Sequence, residues 1–541
     1  MLQDNIEVDR QTVGLAVGLV DESGVRVVCH GKLDNNTDRD VDGDTLFGIG
    51  SITKVFTAVL LQDMVERGEM RLNDPVQKFL PDSVRMPTFQ GKEITLLHLA
   101  THTSGLPRDS SGDLYPFLSR CRLQGAPGNQ RVYSNLGVGL LGHLIARKAE
   151  KDYETLVLER ICQPLGMNNT CITVPPDLEA HRAAAHAMPG HRVQVVSPTP
   201  HNTNSFLPDL RGAGSIRSTA NDLLIFISSY AGLTNSSLSS TMRKTMDFHL
   251  LESGDKRPLV WESDGDVFEH GGLLKGYQAE LAFDVKKRRG VVVLSNCANA
   301  GTFVPGVWKA LLNGRSPKPA ESIPFDPASY DRLVGTYQLD KEADTCTVRR
   351  VGERLLIQWI GVPGQRVRIP SFEVYPQTKS VFRNEFREVQ TVFHSTSNGT
   401  PPQLVFTSLG TLSGFQGSLN LAKISGDVPE PTAPIQVDPE IYDGFVGQYR
   451  KTLLFGLIRI GPTLNISHDK DNWGSHLIAR VRGLGVEEIF PVSETSFIPG
   501  FDVSEALRLT FVRNKKGQTT GVIVFWNGRK LRGTRIATLP H

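Results

Sequence analysis

The sequence predicts an α/β (α+β) unit, an antiparallel sheet with a helical insertion, followed by two all-β barrel modules. Three observations carry this. Strand-like segments stand near both ends of the stretch 14–297 with helical texture between them, which implies one discontinuous sheet. Two passages rich in proline, Pro317–Pro327 and Gly426–Pro434, read as linkers. After each linker the same phrase recurs, Tyr330-Asp-Arg-Leu-Val-Gly-Thr-Tyr337 and Tyr442-Asp-Gly-Phe-Val-Gly-Gln-Tyr449, spaced 112 residues apart (442 minus 330). Short alternating runs such as Arg354–Trp359 and Gly521–Trp526 follow, the mark of a duplicated β module. The expected division is 1–316, 325–425 and 436–541.

In chain order, Gly14–Val20 and Val25–His30 flank Asp21-Glu-Ser-Gly24 and read as a β-hairpin. Next comes a helix from Ser51 to about Arg67. Its apolar residues Ile52, Val55, Phe56, Val59, Leu60 and Met64 fall on one stripe, and Gly68 stops it. From about 73 to 235 the texture is helical and rich in loops, with Leu96–His102 and Leu136–Ile145 as buried helical segments. Strands return at Ala279–Asp284 and Gly290–Ser295, around a turn at 285–289.

The totals exclude several classes of function. In 541 residues, 59 Lys and Arg balance 57 Asp and Glu to a net charge of +2. There is no basic run, so nothing points to nucleic acid, and no apolar stretch reaches membrane-spanning length. The polar, acidic start does not read as a signal peptide, which suggests a cytoplasmic protein, or a periplasmic or secreted one whose leader has been removed. The six cysteines form no Cys-x-x-Cys spacing and read mostly as reduced core thiols, a Cys162–Cys171 bridge being the improbable exception. The expected partner is a small-molecule or short-peptide substrate; the residues do not specify an oligomeric state.

Chemistry concentrates at Ser51-Ile-Thr-Lys54. The two ends of this tetrapeptide share a helix face, at a helix N-terminus that favours a developing anion. A lysine desolvated beside a serine can shed its charge and accept the serine proton. Ser253-Gly-Asp-Lys256 and Ser467-His-Asp-Lys470 repeat the pattern, but neither opens an amphipathic helix. Tyr133-Ser-Asn135 lies on a loop entering a helix, where a phenol can shuttle a proton and a carboxamide can orient a carbonyl. Phe268-Glu-His-Gly-Gly272 places His270 beside Gly271 and Gly272, which let a substrate backbone come close. The Leu273 N–H, paired with that of Ser51, would make an oxyanion hole. Each piece alone also fits a cap, a surface loop or a glycine turn.

Together the three pieces resemble the serine β-lactamase and penicillin-binding-protein superfamily, in its class C-like branch, which includes esterases, D-aminopeptidases and acyltransferases. Leu96–Pro107, Pro164–Met167 and Gly212–Leu223 agree with it, so the likeness covers about 10–315. It implies that Ser51 forms an acyl-enzyme, with Lys54 and Tyr133 sharing its proton. Asn135 would orient the substrate, Ser51 and Leu273 N–H groups would hold the oxyanion, and His270 would assist the substrate's polar end. No cofactor or metal is implied. Histidine in place of the usual third-motif lysine implies ester or amide substrates, with weak or no β-lactam hydrolysis. The paired barrels resemble the tails of D-aminopeptidases, and lipocalin-like tails on related peptidases.

Other readings rank lower. His98 and His102 have the spacing of a zinc pair, but no glutamate follows His98. A nucleophile elbow would need glycines at Ile49 and Thr53. A catalytically silent binding or sensor protein would first have lost Ser51, Lys54 or Tyr133, and all three are present. An acyltransferase would differ only in its acceptor.

Overall fold

The structure, a computed structural model, describes residues 12–34, 37–110, 113–187, 194–195, 208–274, 276–298 and 303–314, and, with gaps, 330–426 and 438–537. Apart from Gly426, both proline-rich linkers lie outside the described residues.

The two strand-rich ends of the first unit meet in one antiparallel sheet. Its strands are β1 Gly14–Asp21, β2 Gly24–Gly31, β3 Glu262–Asp264, β4 Val267–Leu274, β5 Tyr277–Asp284 and β6 Arg289–Ser295. Their order is β2-β1-β6-β5-β4-β3, so the hairpin read at the start of the chain closes against its last strand. Leu15 faces Ser295 and Val20 faces Gly290 across that seam. β6 is apolar without alternation because both its faces are covered. Val292 and Leu294 enter the main core, while Val291 and Val293 pack with Val307, Trp308 and Leu312 of the helix Phe303–Leu312.

The main core also takes in the helical insertion: α1 Thr53–Glu66, α2 Leu96–Ala100, α3 Asn135–Ala149 and α4 Ala220–Tyr230. Two details differ from the sequence reading. α1 is not amphipathic, since every residue from Thr53 to Met64 is buried. Its polar members are satisfied internally: Thr57 Oγ1 lies 2.6 Å from Tyr153 Oη and donates to the Gly212 carbonyl at 2.8 Å. The α-helix proper also starts later, so Ser51 lies in a 3-10 turn, Gly50–Ile52, that leads into it. Arg67 caps the helix and Gly68, at φ +73°, ends it as expected.

Each C-terminal module is a closed antiparallel barrel of eight strands. The first runs from Gly335–Leu339 to Phe415–Ser425, the second from Gly447–Leu453 to Arg529–Ala537, and in each the last strand pairs with the first. The repeated phrase has one physical use in both. Tyr337 Oη donates to the Leu333 carbonyl and Tyr449 Oη to that of Phe445, each at 2.7 Å, so both buried phenols are satisfied by the turn that starts their barrel. Gly335 is required by contact, because a Cβ there would sit 2.3 Å from the Ser425 carbonyl oxygen.

All six cysteines are free thiols, Cys162 and Cys171 included. Among the described residues, no helix is long and apolar enough to cross a membrane.

Candidate active site

Two glycines bring α1's entry turn and β4 into direct contact. Gly50 holds φ +52°, and a Cβ on it would meet the Leu273 backbone nitrogen at 2.8 Å. A Cβ on Gly272 would lie 2.0 Å from the Ile49 carbonyl oxygen and 3.4 Å from the Ser51 nitrogen. The Ser51 and Leu273 amides therefore sit on facing segments that only glycine neighbours allow. His270-Gly-Gly272 lies inside strand β4 and not in a turn before β5, since Gly272 must pass flat against the Ile49 backbone. β3 pairs with Val267–Glu269 alone, so the edge of β4 from His270 onward has no strand neighbour among the described residues. An open edge of this kind accepts an extended substrate backbone.

Lys54 is fully buried, while Ser51 is partly exposed to the cleft. Lys54 Nζ lies 2.8 Å from Ser51 Oγ and donates to the Ala213 carbonyl at 2.6 Å. Burial, reinforced by the nearby Arg108 charge and opposed by Asp109, holds the amine's pKa well below the usual lysine range. A neutral amine has a lone pair for the serine proton.

Tyr133 also reaches Ser51 through a side-chain hydrogen bond, and its ring centroid is 5.0 Å from Lys54 Nζ. Burial raises its pKa, while the Ser51 bond and the Arg108 and Arg131 charges oppose the rise. The next residue explains how the ring is held: Ser134 caps α3, accepting from the Gly137 N–H at 2.9 Å and donating to the Pro107 carbonyl at 2.6 Å. Asn135 opens α3, is buried, and donates from Nδ2 to Asp109 Oδ1 at 2.9 Å.

His270 is buried, with Nδ1 2.8 Å from the Gly271 carbonyl oxygen. A carbonyl only accepts, so Nδ1 carries the proton and Nε2 keeps its lone pair. Burial, the largest cause, pushes its pKa down to about 3. The ring is therefore neutral at physiological pH.

This has a consequence for acid stability. Between the ordinary imidazole value of 6.5 and the folded value of about 3, the unfolded chain binds a proton that folded His270 refuses. Stability is lost as pH falls through that window, by up to about 1.4 kcal/mol per pH unit for one site. Replacing His270 by glutamine is expected to flatten the fall, measured by denaturant unfolding from pH 7 to pH 4. An unchanged slope would contradict the buried neutral ring.

The structure thus gathers Ser51, Lys54, Tyr133, Asn135, His270, Gly271, Gly272 and Leu273 at one cleft. It separates the possible zinc pair. His98 takes part in a capping box with Thr95 and lies 3.3 Å from Glu252, while the chain turns out of α2 so that His102 packs on Tyr133. Among the described residues, no group of three or more His, Cys, Asp or Glu could hold a metal ion. Sequence reasoning missed Arg108, Asp109, Arg131 and the Ala213 carbonyl. Arg108 and Asp109 follow directly on the Leu96–Pro107 stretch, the one signal that could have found them.

Comparison with known proteins gives the family of the first unit. Residues 2–313, more than half of the chain, match the Beta-lactamase family, and the chain belongs to that family. D-alanyl-D-alanine-carboxypeptidase/endopeptidase AmpH of Escherichia coli strain K12 is 34% identical over 201 residues, covering 35% of this chain and 49% of that protein. A beta-lactamase of Yersinia enterocolitica is 32% identical over 278 residues, covering 50% of this chain and 64% of that one. The chain spans about half the length of the curated relatives it matches first. The octameric penicillin-binding protein homologue from Pyrococcus abyssi shares the fold, with a TM-score of 0.52 at 21% identity, over 77% of this chain and 97% of that one. The superfamily suggested by the three motifs is the one found.

Proposed function

We propose that this protein is a serine hydrolase acting through an acyl-enzyme on Ser51, on small ester or amide and peptide-type substrates. The observation that carries the reading is the convergence of two proton carriers on one hydroxyl: the Lys54 amine at 2.8 Å and the Tyr133 phenol both meet Ser51 Oγ. Ser51 Oγ attacks the substrate carbonyl carbon and its proton passes to Lys54 and Tyr133. From there it reaches the leaving oxygen or nitrogen as the C–O or C–N bond breaks. Water then attacks the ester, its proton returns to Ser51 Oγ, and the acid leaves. The Ser51 and Leu273 amides hold the oxyanion in both steps. Asn135, steadied by Asp109, orients the substrate carbonyl, and the bare His270 Nε2 accepts from its polar end.

The neutral His270 ring cannot supply the positive charge that a third-motif lysine offers a substrate carboxylate. That favours esterase or D-aminopeptidase chemistry over β-lactam hydrolysis, while DD-peptidase chemistry, whose substrates also carry a carboxylate, is included on the AmpH likeness alone. We assign the catalysis to residues 1–316, with lipocalin-like barrels at 325–425 and 436–541 as separate modules.

A panel of p-nitrophenyl acetate, D-alanine p-nitroanilide, an acyl-D-alanyl-D-alanine peptide and nitrocefin tests the substrate class. Turnover of at least one of the first three is expected, with nitrocefin slower by on the order of 10²-fold in kcat/KM. Nitrocefin as the best substrate would contradict the class.

A further inference from the structure

Three features around His102 remain unused by the chemistry above. First, the residue holds φ +58°, a left-handed conformation that costs a non-glycine residue energy and persists only where the surroundings demand it. That turn takes the chain out of α2, which ends at Ala100, and lays the imidazole across Tyr133, with ring centroids 4.4 Å apart and planes 26° from parallel. Second, His102 grips the strand of chain on either side of Tyr133. Its carbonyl accepts from the Val132 N–H at 2.8 Å, and its Nδ1 accepts from the Ser134 N–H at 3.2 Å. Third, an amide N–H can only donate, so Nδ1 is bare and Nε2 bears the proton. That Nε2–H is buried, with no partner among the described residues.

We propose that His102 is the positioning residue of the Tyr133 loop: its ring and Nδ1 set the phenol against Ser51 Oγ and shield it from water. Three attachments within Val132–Ser134 restrain the Tyr133 ring, which stacks on the imidazole and has the Lys54 amine 5.0 Å and the Arg108 guanidinium 5.1 Å from its centroid. The ring must stay neutral to do this, since a proton on Nδ1 would face the Ser134 N–H. Burial, reinforced by the Arg131 and Arg108 guanidinium charges, secures that by holding its pKa well below the ordinary imidazole range.

The inference rests on the acyl-enzyme reading, and the experiment separates the two. His102→Asn is the informative variant: asparagine tolerates a left-handed backbone, and its Oδ1 can still accept from the Ser134 N–H, so the loop stays folded. The ring stack and the shielding are lost. Steady-state kinetics on the best substrate of the panel, from pH 5 to pH 10, should show kcat down by about 10–100-fold with KM changed less than about threefold. The alkaline limb of kcat should also move to lower pH, because water reaching Tyr133 stabilises the phenolate. A thermal melt accounts for any unfolded fraction. An unmoved limb with kcat within about twofold of the parent, once the melt is allowed for, would overturn the positioning role alone. Parent protein that turns over no substrate and takes no acyl group on Ser51 would overturn the acyl-enzyme reading and this inference with it.

Discussion

Replacing Ser51 by alanine is expected to remove turnover of every substrate the protein accepts, by roughly 10⁴-fold or more in kcat, while leaving the fold in place. The reason lies in what Ser51 touches. It sits in a 3-10 turn, partly exposed, and its side chain bonds to Lys54 and Tyr133 and is not one of the core packing groups. Removing the hydroxyl deletes the atom that would carry the acyl group, yet no apolar contact of the core depends on it. A thermal midpoint within a few degrees of the parent, with activity at background, is the expected pair of results. Retained turnover would exclude Ser51 as the nucleophile.

Lys54→Met is the second large effect, and here activity and stability are expected to part. Methionine has nearly the length of lysine and suits a site that is wholly buried. Without the amine, Ser51 loses its nearest proton acceptor, and kcat/KM is expected to fall by about 10²–10⁴-fold. Stability should hold or rise. The lost bond to the Ala213 carbonyl costs about 1 kcal/mol, and relief from burying an ionisable amine offsets it. Kinetics and a thermal melt on the same preparation check both halves. A variant that keeps its activity would contradict the role of Lys54 as base.

Much of this site was legible because its parts are local. Ser51 and Lys54 are three apart, so helix geometry alone predicts their contact, now seen at 2.8 Å. Tyr133-Ser-Asn135 announces a helix start, and Ser134 is the cap. The doubled Tyr330 and Tyr442 phrases announce a repeat, and in each barrel the second tyrosine closes the same bond onto its own turn. What escaped depends on distant partners. Nothing local says that Asn135 will find Asp109 across 26 residues, or Lys54 the Ala213 carbonyl across 159. His102 was readable only as a candidate zinc partner of His98 because helical spacing was assumed through it. The left-handed turn that ends α2 breaks that spacing and sends the ring to Tyr133. The apolar stripe of α1 was likewise a partial view: packing on every side, from sheet and helices alike, buries its polar residues too.

Activation of Ser51 as a nucleophile is read directly by covalent labelling. The full chain is exposed to a fluorophosphonate, its intact mass is recorded, and the adduct is mapped by peptide. One adduct is expected, on Ser51, and it should form far more slowly in Lys54→Met. Folded protein that takes up no adduct, or takes it on another residue, would exclude Ser51 as an activated nucleophile and favour a binding protein built on a hydrolase fold.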